Sequence, residues 1–116
     1  MHDDDLENQF EKWQLQLRKG VLIYMVLVLL DQDEMYGYAL ISALAKKLET
    51  DMAEGTIYPL LNRMVRSGIV TFDWRIMESG PARKYYQISD SGRELLSRMH
   101  DYWQSVNTSL QGSTDD

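Results

Sequence analysis

Five side chains between positions 56 and 66 are of the kind that touch nucleic acid: Thr56, Tyr58, Asn62, Arg63 and Arg66. No acidic residue stands among them. An asparagine amide gives and accepts hydrogen bonds together, which suits the N6 and N7 edge of adenine. Arginine guanidinium groups hold phosphate oxygens through charge and directed N–H donors, fixing register without reading sequence. The same stretch carries Ile57, Leu60, Leu61, Met64 and Val65, one face of a 3.6-residue repeat. An apolar side and a small, polar, cationic side describe a short helix that sits on a core; its outer face suits DNA, and it equally suits an ordinary surface helix, since most of these carry some Lys and Arg. Proline is tolerated near a helix start, where amides lack intrahelical partners. Pro59 therefore predicts a cap at Gly55 or Thr56, and Ser67-Gly68 supplies the stop.

No other constellation competes with this one. The two histidines, His2 and His100, sit on an acidic terminus and on a helix, where an ordinary surface or interface role is the expectation, so no catalytic residue is expected. Asp31, Asp33 and Glu34 alternate like part of a calcium loop but lack its remaining ligands, and read as a solvated turn. No metal site and no cofactor are expected. The chain has no cysteine, which removes disulfides and thiolate ligands and fits a reducing cytoplasm.

A net charge of −6 looks wrong for a DNA-binding protein until its distribution is considered. Between positions 42 and 86 the basic residues Lys46, Lys47, Arg63, Arg66, Arg75, Arg83 and Lys84 outnumber Glu49, Asp51, Glu54, Asp73 and Glu78. Much of the negative excess lies in Asp3-Asp4-Asp5, Glu7 and the terminal Asp115-Asp116. Charge is segregated along the chain, with the positive part around the candidate helix.

The elements that position this helix follow from periodicity. Residues 1–5 are acidic and expected to be disordered. A helical stripe then runs through Leu6, Phe10, Trp13, Leu17, Val21 and Tyr24, and Gly20 either kinks this helix or divides it. Residues 21–30 are apolar all round; ten residues are half of the roughly 20 needed to span a membrane, so the run reads as a buried helix and no membrane partner is expected. Met35-Tyr36 can form a two-residue strand ahead of a helix over about 38–48, whose Leu40, Ile41, Leu44, Ala45 and Leu48 face inward. For this helix and the Thr56 helix, joined by a short turn, a helix-turn-helix is one arrangement that fits. The period then becomes alternating: Val70, Phe72, Trp74 and Ile76 form the apolar side of a half-buried strand. Glu78-Ser79-Gly80-Pro81-Ala82 is turn chemistry, and Arg83-Lys84-Tyr85-Tyr86-Gln87-Ile88 returns as a second strand with one tyrosine inward. Ser89 or Ser91 caps a last helix, with Leu95, Leu96, Met99, Tyr102, Trp103, Val106 and Leu110 on its apolar side.

The expected fold is mainly α with a small β-hairpin wing: a winged helix-turn-helix over 19–89, flanked by dimerisation helices. The N-terminal one lies within an arm over 1–18 and the C-terminal one spans 90–111, followed by a disordered tail over 112–116. A winged helix is complete without the last helix, so its stripe needs another partner. Exposing five or six such residues would forfeit on the order of 10 kcal/mol. A second copy of the chain is the simplest cover, with Phe10, Trp13, Leu95, Met99, Tyr102, Trp103, Val106 and Leu110 at the seam.

In this order and spacing the motifs resemble the PadR-like family of transcriptional regulators. They are Lys19-Gly20, Tyr36-Gly37-Tyr38, the run from Gly55-Thr56-Ile57-Tyr58-Pro59 to Asn62-Arg63-Met64, Gly68-Ile69-Val70, Trp74, Arg83-Lys84-Tyr85-Tyr86 and Ser89-Asp90-Ser91-Gly92. The resemblance implies a homodimer that binds an inverted-repeat operator in double-stranded DNA, as a repressor of a neighbouring gene. With Tyr38, Arg83 and Lys84 added as phosphate contacts, the DNA-facing residues become Tyr38, Thr56, Tyr58, Asn62, Arg63, Arg66, Arg83 and Lys84. Many relatives carry an Arg-Pro pair where this chain has Pro81-Ala82, which puts a minor-groove arginine at the wing tip in question. A multidrug-responsive branch of the family has tryptophan near the position of Trp103. That suggests a pocket for a planar aromatic effector, built from Phe10, Trp13, Met99 and Trp103. The runner-up reading is a winged-helix dimerisation or protein-interaction module with little affinity for DNA.

Overall fold

The computed structural model of the protein describes residues 2–112, and begins with one helix of 30 residues, α1 (Asp3–Gln32). One expectation fails here: Asp3, Asp4 and Asp5 are helical, because carboxylates in a first turn complement the positive end of the helix dipole. Gly20 does not divide the helix; an interior glycine costs only about 1 kcal/mol, and the apolar run after it is locked in the core. An 18-residue stretch of α1 reaches a mean hydropathy of 1.3 and could cross a membrane by length and composition alone. Its Leu22, Val26, Leu27, Leu29 and Leu30 are instead the centre of a protein core, which accounts for their apolarity.

The remaining elements follow the expected order: β1 (Met35–Tyr36), α2 (Gly37–Leu48), α3 (Glu54–Arg66), β2 (Val70–Arg75), β3 (Arg83–Ile88) and α4 (Asp90–Gln111). The strands form an antiparallel sheet in the order β1-β3-β2. Phe72 stands opposite Tyr86, Trp74 opposite Lys84, and Met35 also opposite Tyr86 on the other edge of β3. Leu40 and Leu44 of α2, Ile57, Leu61 and Met64 of α3 and Val70 of β2 close over α1 with almost no exposed surface. This core is continuous and holds α3 by the apolar face its spacing predicts.

The alternation in β2 does not mean burial throughout. Val70 is buried and Phe72 half-buried, but Trp74 is 61% exposed and Ile76 88%. The strand outruns the core, and its outer half projects as the wing. Of the two tyrosines, Tyr86 is the inward one.

Ser89 caps α4, and Ser91 does not: the Gly92 amide donates to Ser89 Oγ at 3.0 Å. The Ser89 hydroxyl in turn donates to the Gly68 carbonyl, and the Ser89 amide to the Ile69 carbonyl at 3.1 Å. Gly92 lies so close to that carbonyl that a Cβ would overlap it. Leu95, Leu96 and Met99 then pack on the core of their own chain, and Arg93 meets Asp31 of α1 at 3.4 Å. The first half of the α4 stripe thus finds cover within the chain, contrary to the expectation that all of it awaits a partner. Its later part stays open: Tyr102 is 72% exposed and Leu110 76%. The expected tail falls largely outside the described residues.

Candidate nucleic-acid interface

Helix α3 starts at Glu54 with Ala53 as the N-cap residue, two to three residues before the expected cap, and with no side-chain cap bond. Pro59 therefore lies two to three residues deeper than its chemistry suggests, and it has no N–H to give the Gly55 carbonyl. Thr56, Asn62, Arg63 and Arg66 are exposed along the outer face. Tyr58 is half-buried on the side toward α2. Its ring rests on Gly37, where a Cβ would stand 2.6 Å from Cε1 and 2.7 Å from the phenol oxygen. Only glycine allows α2 and the recognition helix to approach this way.

Between α3, the start of α2 and the inner side of the wing lies an open groove of about 700 Å3. Tyr38, Tyr58, Asn62, Arg83 and Lys84 all line it, so the structure brings together five of the eight DNA-facing residues read from the sequence. Thr56, Arg63 and Arg66 lie outside the groove, on the exposed face of α3. Among the described residues no acidic side chain lines it. Burial, and then the Glu54 carboxylate one turn earlier, push the Tyr58 phenol above its usual range; burial does the same for Tyr86. Both are therefore neutral O–H groups able to donate.

The two wing cations are held over aromatic rings and not by carboxylates. The Arg83 guanidinium lies 4.9 Å from the centre of the Tyr36 ring, and Lys84 Nζ lies 4.4 Å from that of Phe72 and 5.4 Å from that of Trp74. Among the described residues neither takes part in an ion pair. Arg75 makes the contrast: it is bound to Glu34 and Asp73 and stacked on Tyr85 at 4.4 Å. Gln87 Nε2 donates to Glu34 at 2.9 Å and to Asp73 at 3.0 Å. Hydrogen bonds from Arg75 and then Gln87 lower Glu34 to about 2. This cluster ties the segment before β1 to both wing strands, so it braces the wing from behind. It leaves Arg83 and Lys84 as the cations free for an anion.

Five lining residues stand outside the eight DNA-facing residues read from the sequence: Tyr36, Gly37, Trp74, Ala82 and Tyr86. Tyr36 and Gly37 enter that reading only through a short strand and the Tyr36-Gly37-Tyr38 motif. Trp74 was read as core, although an apolar alternation longer than the core it must cover was a signal that its end is exposed.

The other predicted sites lie along α1 and α4. Met99 and Trp103 line a groove of about 350 Å3 together with Leu17, Val21, Tyr24 and Tyr102. Phe10 and Trp13 do not reach it within the chain; they are one to two helical turns away and stack on each other at 5.9 Å and 25°. The four-residue effector pocket is thus split into two pairs. The Tyr24 hydroxyl lies 3.2 Å from His100 Nδ1 and joins the two helices beside the groove.

The sequence pattern of the Transcriptional regulator PadR-like family matches residues 26–98, from the core of α1 into α4. A curated relative, the negative transcriptional regulator PadR of Bacillus subtilis, is 32% identical over 84 residues, which cover 71% of this chain but 44% of that protein. Among solved structures, a PadR-like transcriptional regulator from Bacillus cereus is 38% identical with a TM-score of 0.77, covering 87% of this chain and 98% of that one. A PadR family regulator from Eggerthella lenta is 28% identical with a TM-score of 0.82, covering 95% and 96%. With its winged-helix fold, its recognition helix and these matches, the chain belongs to the PadR-like family of DNA-binding transcriptional regulators.

Proposed function

We propose that the protein is a homodimeric repressor that binds an inverted-repeat operator near a gene it controls, acts in the cytoplasm, and is released by a planar aromatic effector. The observation that carries the DNA part is the groove beside α3. It brings Asn62, two neutral phenols and the cations Arg83 and Lys84 together, and among the described residues no carboxylate stands in its wall or pairs with those cations. On this reading Asn62 reads a base edge and Tyr38, Arg63, Arg66, Arg83 and Lys84 hold phosphates, with Thr56 and Tyr58 near the front of the helix.

Dimerisation draws support from the apolar surface left uncovered. Phe10 is 50% exposed, Trp13 55% and Trp103 44%, and with Tyr102 and Leu110 they form the open parts of α1 and α4. In a two-fold dimer the recognition helices enter successive major grooves, so half-sites stand roughly 34–36 Å apart. Repression is carried over from the name of the Bacillus subtilis relative. The effector reading rests on the Met99–Trp103 groove, with Phe10 and Trp13 supplied by the partner copy.

Binding of the purified protein to the DNA upstream of its own gene, across a salt series, is the test. Nanomolar to micromolar binding that weakens steeply with salt is expected. A stable dimer with no affinity for that duplex or for unrelated DNA would favour the interaction-module reading.

A further inference from the structure

The groove beside α3 holds more aromatic surface than a double helix can use. Five of its lining residues carry rings: Tyr36, Tyr38, Tyr58, Trp74 and Tyr86. Two of these, Tyr38 and Trp74, are each 61% exposed. A duplex turns its phosphates outward and keeps its base faces stacked inside, so it offers these rings no face to stack on. We propose that the groove also binds a free nucleoside phosphate. Its base lies against Trp74 and Tyr38, Arg83 and Lys84 hold its phosphate, and its binding excludes DNA. The inference rests on the DNA-binding reading above and concerns a ligand separate from the effector of the Met99–Trp103 groove.

Three observations point to this class of ligand. The first is the pairing of ring and charge. Lys84 stands opposite Trp74 across the hairpin, its Nζ 5.4 Å from the centre of the indole ring, and Arg83 precedes it in β3. Among the described residues no carboxylate pairs with either cation. Base stacking on an aromatic ring beside a cation is how proteins hold nucleotides that have no pairing partner. The second is that the rings are unspent. Among the described residues Tyr38 meets no other ring and no cation, and Trp74 keeps most of its surface open. The third is the polar part of the lining. Asn62 brings an amide and Tyr58 a hydroxyl. These match the donors and acceptors on the edge of a base, which a plain aromatic acid lacks.

Size and rigidity agree. The volume of about 700 Å3 lies within the range of roughly 300–1,000 Å3 in which small-molecule sites fall. Both walls are set before a ligand arrives. The Tyr58 ring resting on Gly37 fixes the start of α2 against α3, and Arg75, bound to Glu34 and Asp73, fixes the wing. Walls already in place need little ordering on binding. Asn62, Arg83 and Lys84 are also assigned to the duplex, and each can serve one occupant at a time. A rise in free nucleotide therefore releases the operator by direct competition, with no change in the geometry of the dimer.

Adenosine monophosphate is the probe, with adenosine and inorganic phosphate as its two halves, all at matched ionic strength. Calorimetry on the full chain should show the nucleotide binding roughly tenfold or more tightly than either half. Trp74→Ala should weaken it about tenfold, the scale of one lost stack. Lys84→Ala should weaken it and lower its salt dependence. In competition with a duplex from upstream of the protein's own gene, the nucleotide should displace the wild-type protein. Trp74→Ala should cost the nucleotide more than it costs the duplex, whereas a collapsed wing would cost both alike. Displacement by inorganic phosphate as efficient as that by the nucleotide would overturn the site, and so would nucleotide and duplex bound together. Binding lost in Trp103→Ala but kept in Trp74→Ala would move the nucleotide to the α1–α4 groove and overturn it too. A protein that binds the duplex and no nucleotide sinks the inference and leaves the DNA-binding reading standing. Nucleotide bound in a Trp74-dependent way by a protein that binds no DNA supports the site and removes that reading.

Discussion

Gly37→Ala tests whether the recognition helix is set against α2 through Tyr58. A Cβ at position 37 would stand 2.6 Å from Tyr58 Cε1, 2.7 Å from its hydroxyl and 3.0 Å from Cζ. Carbon atoms in ordinary contact are about 3.5–4.0 Å apart, so the ring must withdraw by about 1 Å. Overpacking of this kind costs about 1–3 kcal/mol. Gly37 is not at positive φ, so alanine meets no backbone strain and gains about 0.4–1 kcal/mol from a stiffer unfolded chain. The net expectation is a loss of about 1–2 kcal/mol, or a Tm lower by roughly 4–8 °C. The assay is urea unfolding at fixed protein concentration of the wild type, Gly37→Ala, Tyr58→Ala and the double variant. With the ring gone the clash is gone, so Gly37→Ala should become neutral or stabilising in the Tyr58→Ala background, a coupling of about 1–3 kcal/mol. DNA affinity should fall with Gly37→Ala as well, since the phenol moves away from its place in the groove. An equal loss of stability in both backgrounds would refute the account.

Val106→Asp with Leu110→Asp should dissociate the dimer at micromolar concentration in sedimentation while leaving each protomer folded; Met99→Asp would also disturb the chain's own core, where Met99 is packed. A wild-type protein that sediments as a monomer would remove both the seam and the two-fold operator. Arg66→Ala should weaken binding to every DNA sequence alike and lower the salt slope by about one, whereas Asn62→Ala should relax preference at one base pair by about 1–3 kcal/mol, read from a panel of single-base operator variants. Glu34 is held at about 2, below its ordinary 4.5, so its stabilisation is complete above the ordinary value and is lost as pH falls from there toward about 2. The Tm gap between wild type and Glu34→Gln should accordingly stay constant near neutrality and close over that acid range; a gap unchanged down to pH 2 would contradict the Arg75–Gln87 clamp. Planar aromatic cations or phenolic acids should quench tryptophan emission in the wild type and not in Trp103→Ala, and quenching that persists in the variant would remove Trp103 as the sensor.

Much of this protein is written in local pattern. The spacing of Ile57, Leu60, Leu61 and Met64 determined which face of α3 is buried, and so which residues, Asn62, Arg63 and Arg66, remain outside. The change of period after Gly68 marked the wing, and the order of motifs marked the family. These features depend on neighbours three or four residues apart, which the sequence lists directly. What the sequence could not decide depends on distances between elements. Trp74 and Ile76 have the alternation of a core strand, and only the size of the body beneath them determines that the core stops at Phe72. Asp3, Asp4 and Asp5 look disordered by composition, yet they continue a helix whose far end is anchored by Leu22, Val26 and Leu30. Phe10 and Trp13 share a stripe with Leu17 and Val21, but α4 crosses α1 further along, so Met99 and Trp103 meet Leu17 and Val21 and not the first pair. Arg75, Arg83 and Lys84 are alike in sequence as cations of one hairpin. Tertiary structure separates them: it delivers Glu34, 41 positions away in the chain, to neutralise Arg75 alone. Periodicity fixes which way a side chain points, and packing across the chain decides what it meets there.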